Sequence, residues 1–334
     1  MRRFGKRTFP LFLILVLLGS LLFDRNFSAA SVLAEESTAS VANISSQNTA
    51  VSSTALETRA PGPIPAISAA SFPVDLTFVN GKLCVIFIDV GHGDSILIIT
   101  PDQKTMLVDS GQWWAFEYID SLLSQMGIVS LDAILATHPD KDHIGSFLSI
   151  TAKNKPHIAY LSPVFKMEKH ADFVEDIVQR NCEVNYLAAG SSFTFGDDLK
   201  YDMIAPVKQD YEDVNDMSIA FRMAYKHISF LMMGDAVSES ITDIMNKYET
   251  ELASTVLKAG HHGNPKSTTE DFFDAVSPAF MIISADPEEK HGKFSGKLLR
   301  QIEEMDVHVY QTYLDGTIIM VTDGMDIEIS LFTG

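Results

Sequence analysis

Residues 131–136 form an apolar, β-prone run, and directly behind it stand Thr137, His138, Pro139, Asp140, Lys141, Asp142 and His143. A buried strand that ends in two histidines and two acids needs a reason for that ending. A loop at a strand's end can turn His138, Asp140, Asp142 and His143 towards one point, and imidazole with carboxylate is the donor set that hard and borderline divalent cations prefer. A lone His-x-Asp would read as a charged surface turn. Four such residues within one short stretch read as a metal site. The pattern recurs downstream: Asp235 follows the apolar run 230–233, with Gly234 allowing a sharp turn of the backbone. His261 and His262 follow the apolar run 254–257 in the same way. Adjacent side chains of an extended chain point apart, so one of these two histidines is expected to bind metal and the other to remain free.

Around these runs the texture is that of one α/β domain. Alternation and apolar clustering predict strands over 83–88, 95–99, 106–108, 133–136, 200–204, 219–225, 228–233, 255–258, 280–284, 307–310 and 317–321. Helices are expected over 116–126, 172–180, 238–247, 269–275 and 296–305. Strand clusters flanked by helices in both halves predict two sheets packed face to face with helices on the outer faces.

The N-terminus reads differently. Arg2, Arg3, Lys6 and Arg7 precede an uncharged apolar run over 9–23, and Val32, Leu33 and Ala34 follow. That is the layout of a secretory signal peptide over 1–34, with an uncleaved membrane anchor as the alternative. Residues 35–73 are Ser/Thr/Ala-rich and too poor in large apolar side chains to offset the entropy of ordering, so they read as a disordered linker. The folded domain is expected over 74–334, exported and secreted or extracellular, or tethered to the membrane by the N-terminal segment. Two cysteines, Cys84 and Cys182, supply neither a disulfide scaffold nor a thiolate cage, and whether they pair is left open.

His138-Pro-Asp140-Lys-Asp142-His143 resembles the His-x-(His/Asp)-x-Asp-His signature of the metallo-β-lactamase superfamily. Asp at the second ligand position is similar to the ComEC-type competence, DNA-internalisation branch. Phe87-Ile-Asp89-Val-Gly-His92-Gly-Asp94-Ser95, Leu107-Val-Asp109-Ser-Gly111, Met233-Gly234-Asp235, Leu257-Lys-Ala-Gly-His261-His262-Gly263 and Asp315-Gly316-Thr317 resemble that branch's remaining elements in order. The resemblance implies a four-layer αββα sandwich. It also implies one or two divalent ions, Zn²⁺ or Mn²⁺: one held by His138 and Asp140, the other by Asp142, His143 and His262, with Asp235 bridging. His261 would then face the substrate, and Asp109 is expected either to orient a ligand or to be a buried structural acid. Asp89 and Asp94 read as braces of a Gly-rich turn. His291 falls where relatives often carry a substrate-side histidine.

Four departures stand out. His92 replaces a usual Gln, Ser146 a usual Gly, Val237 a common acid, and Ala205 a histidine of some relatives. The last leaves the His138/Asp140 position short of a ligand: either Asn215 or Ser218 completes it, or that ion is weakly held and only the Asp142/His143/His262 position is occupied.

Such a site favours hydrolysis, and the resemblance points to phosphodiesters. Asp142, Asp235 and His261 are the residues expected to carry the reaction. Twenty-five basic residues against 44 acidic ones, a net charge of −19, argue against an extended nucleic-acid track and for a small, cell-wall or nucleotide-type phosphodiester. No stable protein partner is implied. The alternatives are hydrolysis of another ester or amide bond, such as a β-lactam or thioester, and a degenerate metal-binding surface protein.

Overall fold

The computed structural model describes residues 79–197, 199–286 and 294–333. The expected signal peptide, the linker and His291 lie outside the described residues, as does the start of the domain expected from residue 74.

Fifteen strands among the described residues form two sheets. The first contains β1 (Leu83–Phe87), β2 (Ile96–Ile99), β3 (Thr105–Val108), β4 (Ala133–Ala136), β5 (Ile158–Leu161) and β6 (Glu183–Tyr186). The second takes β7 (Ser192–Thr194), β8 (Lys200–Ala205), β9 (Ala220–Tyr225), β10 (Ile228–Met232), β11 (Val256–Lys258), β12 (Phe280–Ile283) and β13 (His308–Gln311). The chain then returns to the first with β14 (Thr317–Thr322) and β15 (Ile327–Phe332), giving the orders β15-β14-β1-β2-β3-β4-β5-β6 and β13-β12-β11-β10-β9-β8-β7. Each sheet is antiparallel at one end and parallel at the other: β3 to β6 run parallel in the first, β10 to β13 in the second.

The central strands are apolar on both faces, as strands covered on both sides must be. In β1, Leu83, Val85 and Phe87 enter the cluster between the sheets, while Cys84 and Ile86 enter a second cluster. That second cluster includes Ile119, Leu122 and Leu123 of α1 (Phe116–Gln125), and Phe147 and Ile150 of the helix Phe147–Asn154. In β10, Phe230 and Met232 face the first sheet, while Leu231 joins a third cluster with residues of the helices Ser238–Tyr248, Glu270–Val276 and Gly296–Glu304. Three apolar layers separate four layers of secondary structure, so the expected αββα sandwich is the observed architecture.

The strands absent from the sequence reading are β5, β6, β7 and β15. Three of them lie at sheet edges, where half-exposed residues such as Glu183 and Asn185 interrupt any apolar run. β5 is a buried four-residue strand just behind Pro156. Thr269 and Ser295, counted at or just before helix starts in the sequence, are N-caps: their hydroxyls accept from the N–H groups of Phe272 and Leu298. Cys84 and Cys182 are free and buried, and burial pushes the Cys84 thiol up to about 12.

Candidate metal centre

The residues of interest follow the C-terminal ends of parallel strands in both sheets. Asp109 follows β3, His138 to His143 follow β4, Asp235 follows β10, His261 and His262 follow β11, and Ser284 follows β12. Crevices beyond the carboxyl ends of parallel strands are where α/β folds place ligands.

Asp142, His143, Asp235 and His262 each present a ligand atom within 4.8 Å of the others. Asp235 Oδ2 is central: His143 Nε2 lies 3.2 Å from it, His262 Nε2 3.6 Å, His138 Nε2 3.8 Å and His261 Nε2 4.0 Å. Asp142 Oδ2 lies 3.2 Å from His262 Nε2 and 3.9 Å from His143 Nε2. Asp140 Oδ2 is 3.7 Å from His138 Nε2, on a side chain that is 49% exposed, so it closes the cluster on the solvent side.

The other ring nitrogens decide how the imidazoles are protonated. His262 Nδ1 stands 2.9 Å from the carbonyl of Ser284, which can only accept, so Nδ1 carries a proton and Nε2 faces the two carboxylates. His143 Nδ1 lies 2.8 Å from Asp109 Oδ2 and is held in the same tautomer. Asp109 is itself fixed by the Thr137 N–H at 2.9 Å and the Thr137 hydroxyl at 2.7 Å. Asp109 therefore touches the cluster through His143, and through the Thr137 hydroxyl, 3.1 Å from His138 Nδ1, the arrangement that orients metal-binding imidazoles.

Neutral imidazoles with Nε2 turned towards carboxylates present lone pair to lone pair. Such a gap is filled by a proton or by a cation. Burial works against charge on His143, but Asp235 and Asp109 outweigh it and hold its pKa well above the usual value. Burial likewise opposes the charge on His262, and Asp235 and Asp142 raise its pKa all the same. Burial would raise Asp235 and Asp142, yet the neighbouring imidazoles hold both well below the usual carboxylate range. His138 Nε2, His143 Nε2 and Asp235 Oδ1 are buried without a hydrogen-bond partner. Orphaned lone pairs converging on one small volume fit a divalent cation.

His261 and His262 differ in burial, on a backbone unlike the extended one expected. Both residues are left-handed, φ 45° and 54°, so the chain there is kinked rather than extended. The His262 side chain is buried and that of His261 is 19% exposed. Ser218 reaches the cluster through its hydroxyl, which accepts the N–H of Asp235 at 3.2 Å. Asn215 lies on the preceding short turn with Oδ1 buried and unpaired. Ala205 packs into the apolar cluster beneath the outer helices, and the Ser146 hydroxyl donates to the Gln112 carbonyl at 2.6 Å.

Sequence reasoning gave no role to Lys258 or Ser284. Lys258 is buried, with Nζ 2.8 Å from Asp94 Oδ2, and Asp94 Oδ1 lies 3.7 Å from His262 Nδ1. A lysine flanked by Leu257 and Ala259 in a three-residue buried strand is the signal that could have found it. Ser284 acts through its carbonyl, which no residue type reveals. Asp89 braces the β1–β2 turn, its Oδ1 accepting the Gly91 N–H at 3.1 Å. His157, His227 and His308 are exposed and lie apart from the cluster.

The profile of the Metallo-beta-lactamase superfamily matches residues 88–283. ComE operon protein 3 of Bacillus subtilis (strain 168) is 27% identical over 249 residues, 69% of this chain and 32% of that protein. Competence protein ComA of Neisseria gonorrhoeae is 28% identical over 199 residues, 59% of this chain and 26% of that protein. The chain thus spans about a third or less of the length of these curated relatives. Among solved structures, CmlA, a diiron β-hydroxylase from Streptomyces venezuelae, superposes with a TM-score of 0.50 at 11% identity, covering 73% of this chain and 54% of that one, a likeness of fold alone.

Proposed function

Because this chain belongs to the metallo-β-lactamase superfamily and turns buried imidazoles towards carboxylates across gaps that suit a cation, we propose that it hydrolyses a small phosphodiester with the help of one or two divalent ions, Zn²⁺ or Mn²⁺. The observation that carries this is the convergence of His138 Nε2, His143 Nε2 and Asp235 Oδ1, all buried and outside any hydrogen bond, beside a histidine that stays accessible. The cation would be held by Asp142, His143, His262 and Asp235, with His138 and Asp140 offering a second position. When bound, a divalent cation supplies Lewis acidity, which lowers the pKa of water and draws charge from a phosphoryl oxygen.

The chain's own residues do the rest. Asp109 and the Ser284 carbonyl hold His143 and His262 in one tautomer. Asp235 sets the spacing of four imidazoles through one oxygen. His261, partly exposed and 4.0 Å from Asp235 Oδ2, would contact the phosphoryl oxygens or protonate the leaving oxygen. A net charge of −19 disfavours a long polyanion, which supports a small substrate. Fold alone does not determine reaction, so the phosphodiester reading rests on the site and the charge.

The test is a panel of chromogenic phosphodiester, β-lactam and thioester substrates, run on protein loaded with Zn²⁺ or Mn²⁺. We expect turnover of the phosphodiester that disappears in Asp235→Asn together with bound metal. Turnover of only a β-lactam or thioester would replace the phosphodiester reading with hydrolysis of another bond, and a metal-loaded protein inert to all three would be a binding protein.

A further inference from the structure

The tip of the β1–β2 loop, Gly91-His92-Gly93, is pressed onto the candidate metal centre. Gly93 has φ 128°, and a Cβ built there would stand 2.2 Å from the carbonyl oxygen of Asp142, so the two backbones touch as closely as glycine permits. Both flanks of the tip are anchored. On one side Asp89 Oδ1 accepts the Gly91 N–H. On the other, the Asp94 N–H donates to the Asp142 carbonyl at 3.2 Å and the Asp94 carboxylate is locked to Lys258 at 2.8 Å.

This carries the His92 imidazole to the cluster. Its Nε2 lies 2.9 Å from Asp142 Oδ2, and its ring centroid is 4.9 Å from that of His262. Asp142 Oδ2 thereby has three imidazole nitrogens around it: His92 at 2.9 Å, His262 at 3.2 Å and His143 at 3.9 Å. With bonds of roughly 2.0–2.2 Å, two donors on one cation stand about 3.0 Å apart at an octahedral angle and about 3.4 Å at a tetrahedral one. His92 and His262 stand near that spacing from Asp142 Oδ2, and His143 stands beyond it. His92 is also 32% exposed, so it approaches from the solvent side, whereas His143 is buried.

We propose that His92 is a further ligand of the cation on the Asp142 side, adding an imidazole next to the Asp142 carboxylate to the donors that Asp142, His143, Asp235 and His262 bring together. The inference rests on the metal-centre reading above. It also gives the His92 departure a role: the chain supplies an imidazole at the loop tip while Ala205 supplies none at the His138/Asp140 position. The cation on the Asp142 side is therefore the more tightly held of the two.

His92→Gln tests this, because glutamine keeps an N–H to offer Asp142 but removes the imidazole. Circular dichroism first establishes that the variant folds. Zn²⁺ affinity is then measured by competition with a chromophoric chelator, and the Co²⁺-substituted proteins are compared by electronic absorption and by their hyperfine-shifted imidazole resonances. We expect affinity at the tighter position to fall at least tenfold and the signals of one imidazole to vanish from the shifted set. An unchanged affinity with the same set of shifted imidazoles would overturn the proposal and leave His92 as a hydrogen-bond partner of Asp142. If the wild-type protein itself binds neither Zn²⁺ nor Co²⁺, the metal-centre reading fails and this inference with it, an outcome distinct from equal binding by both proteins.

Discussion

His261 and His262 are chain neighbours with opposite surroundings. His262 is buried, donates through Nδ1 to the Ser284 carbonyl and turns Nε2 to Asp142 and Asp235, whereas His261 keeps a solvent-facing edge. Holding two consecutive non-glycine residues in the left-handed region costs about 1–2 kcal/mol each, and strain of that kind persists where surrounding structure over-determines it. Replacing the two should therefore have different effects. His262→Gln is expected to lose metal and turnover together. His261→Gln is expected to keep its metal while turnover falls by about 10²- to 10⁴-fold, the range of a lost acid–base group. Metal content by elemental analysis beside steady-state rates separates them, and loss of metal in step with activity in His261→Gln would show the two roles to be exchanged. That the two would have different surroundings was legible from their adjacency. The kinked backbone that separates them was not, because a left-handed pair at non-glycine residues has no local sequence signature.

At the scale of elements, the loop from β1 to β2 is a strut between the sheets. Asp94 joins it to β11 through Lys258, a buried ion pair whose partners would each be strongly destabilising if left alone. Asp89 braces the other flank. Burial, with the nearby Asp286 charge, pushes its pKa from the ordinary 3.8 to about 6 despite the Gly91 hydrogen bond. A carboxyl whose folded-state pKa is raised is held in its protonated form by the fold. Its contribution to stability is complete below about 3.8 and is lost as pH rises through about 6. Asp89→Asn keeps the oxygen that accepts the Gly91 N–H and removes the ionisation. It should be more stable than the wild type at pH 8, by at most about 3 kcal/mol at 1.36 kcal/mol per unit, and should show no such advantage at pH 4. Thermal unfolding of chelator-treated proteins across that range measures it, and a wild-type to variant difference that does not change with pH would rule out ionised Asp89 as a burden on the fold. Asp89 and Asp94 were both readable as braces. The partner of Asp94 was not, because it lies 164 residues away in the other sheet.

For the whole molecule, the cluster is a seam. Asp142 and His143 come from the first sheet, Asp235 and His262 from the second, so a bound cation would tie the sheets together at one edge. Ligand that binds only the folded state stabilises by mass action, about 2.7 kcal/mol at a hundredfold excess over Kd. Saturating Zn²⁺ should therefore raise Tm by several degrees and a chelator should reverse it, while Asp142→Ala with His143→Ala should respond to neither. A wild-type Tm indifferent to both would mean that the seam binds no cation. Much of this molecule was determined by sequence alone. Apolar runs ending in His and Asp marked the strand ends, their alternation with amphipathic segments marked a layered α/β fold, and the order of motifs marked the superfamily. These are local properties, set by side-chain chemistry and by periodicities of two and 3.6 residues. Tertiary structure alone decided which nitrogens face inward, that Lys258 neutralises Asp94, and that the tip carrying His92 lies on Asp142. Each of those depends on which strand ends the two sheets bring together, and contacts between residues so far apart in the chain are fixed by packing of the whole core rather than by any segment of it.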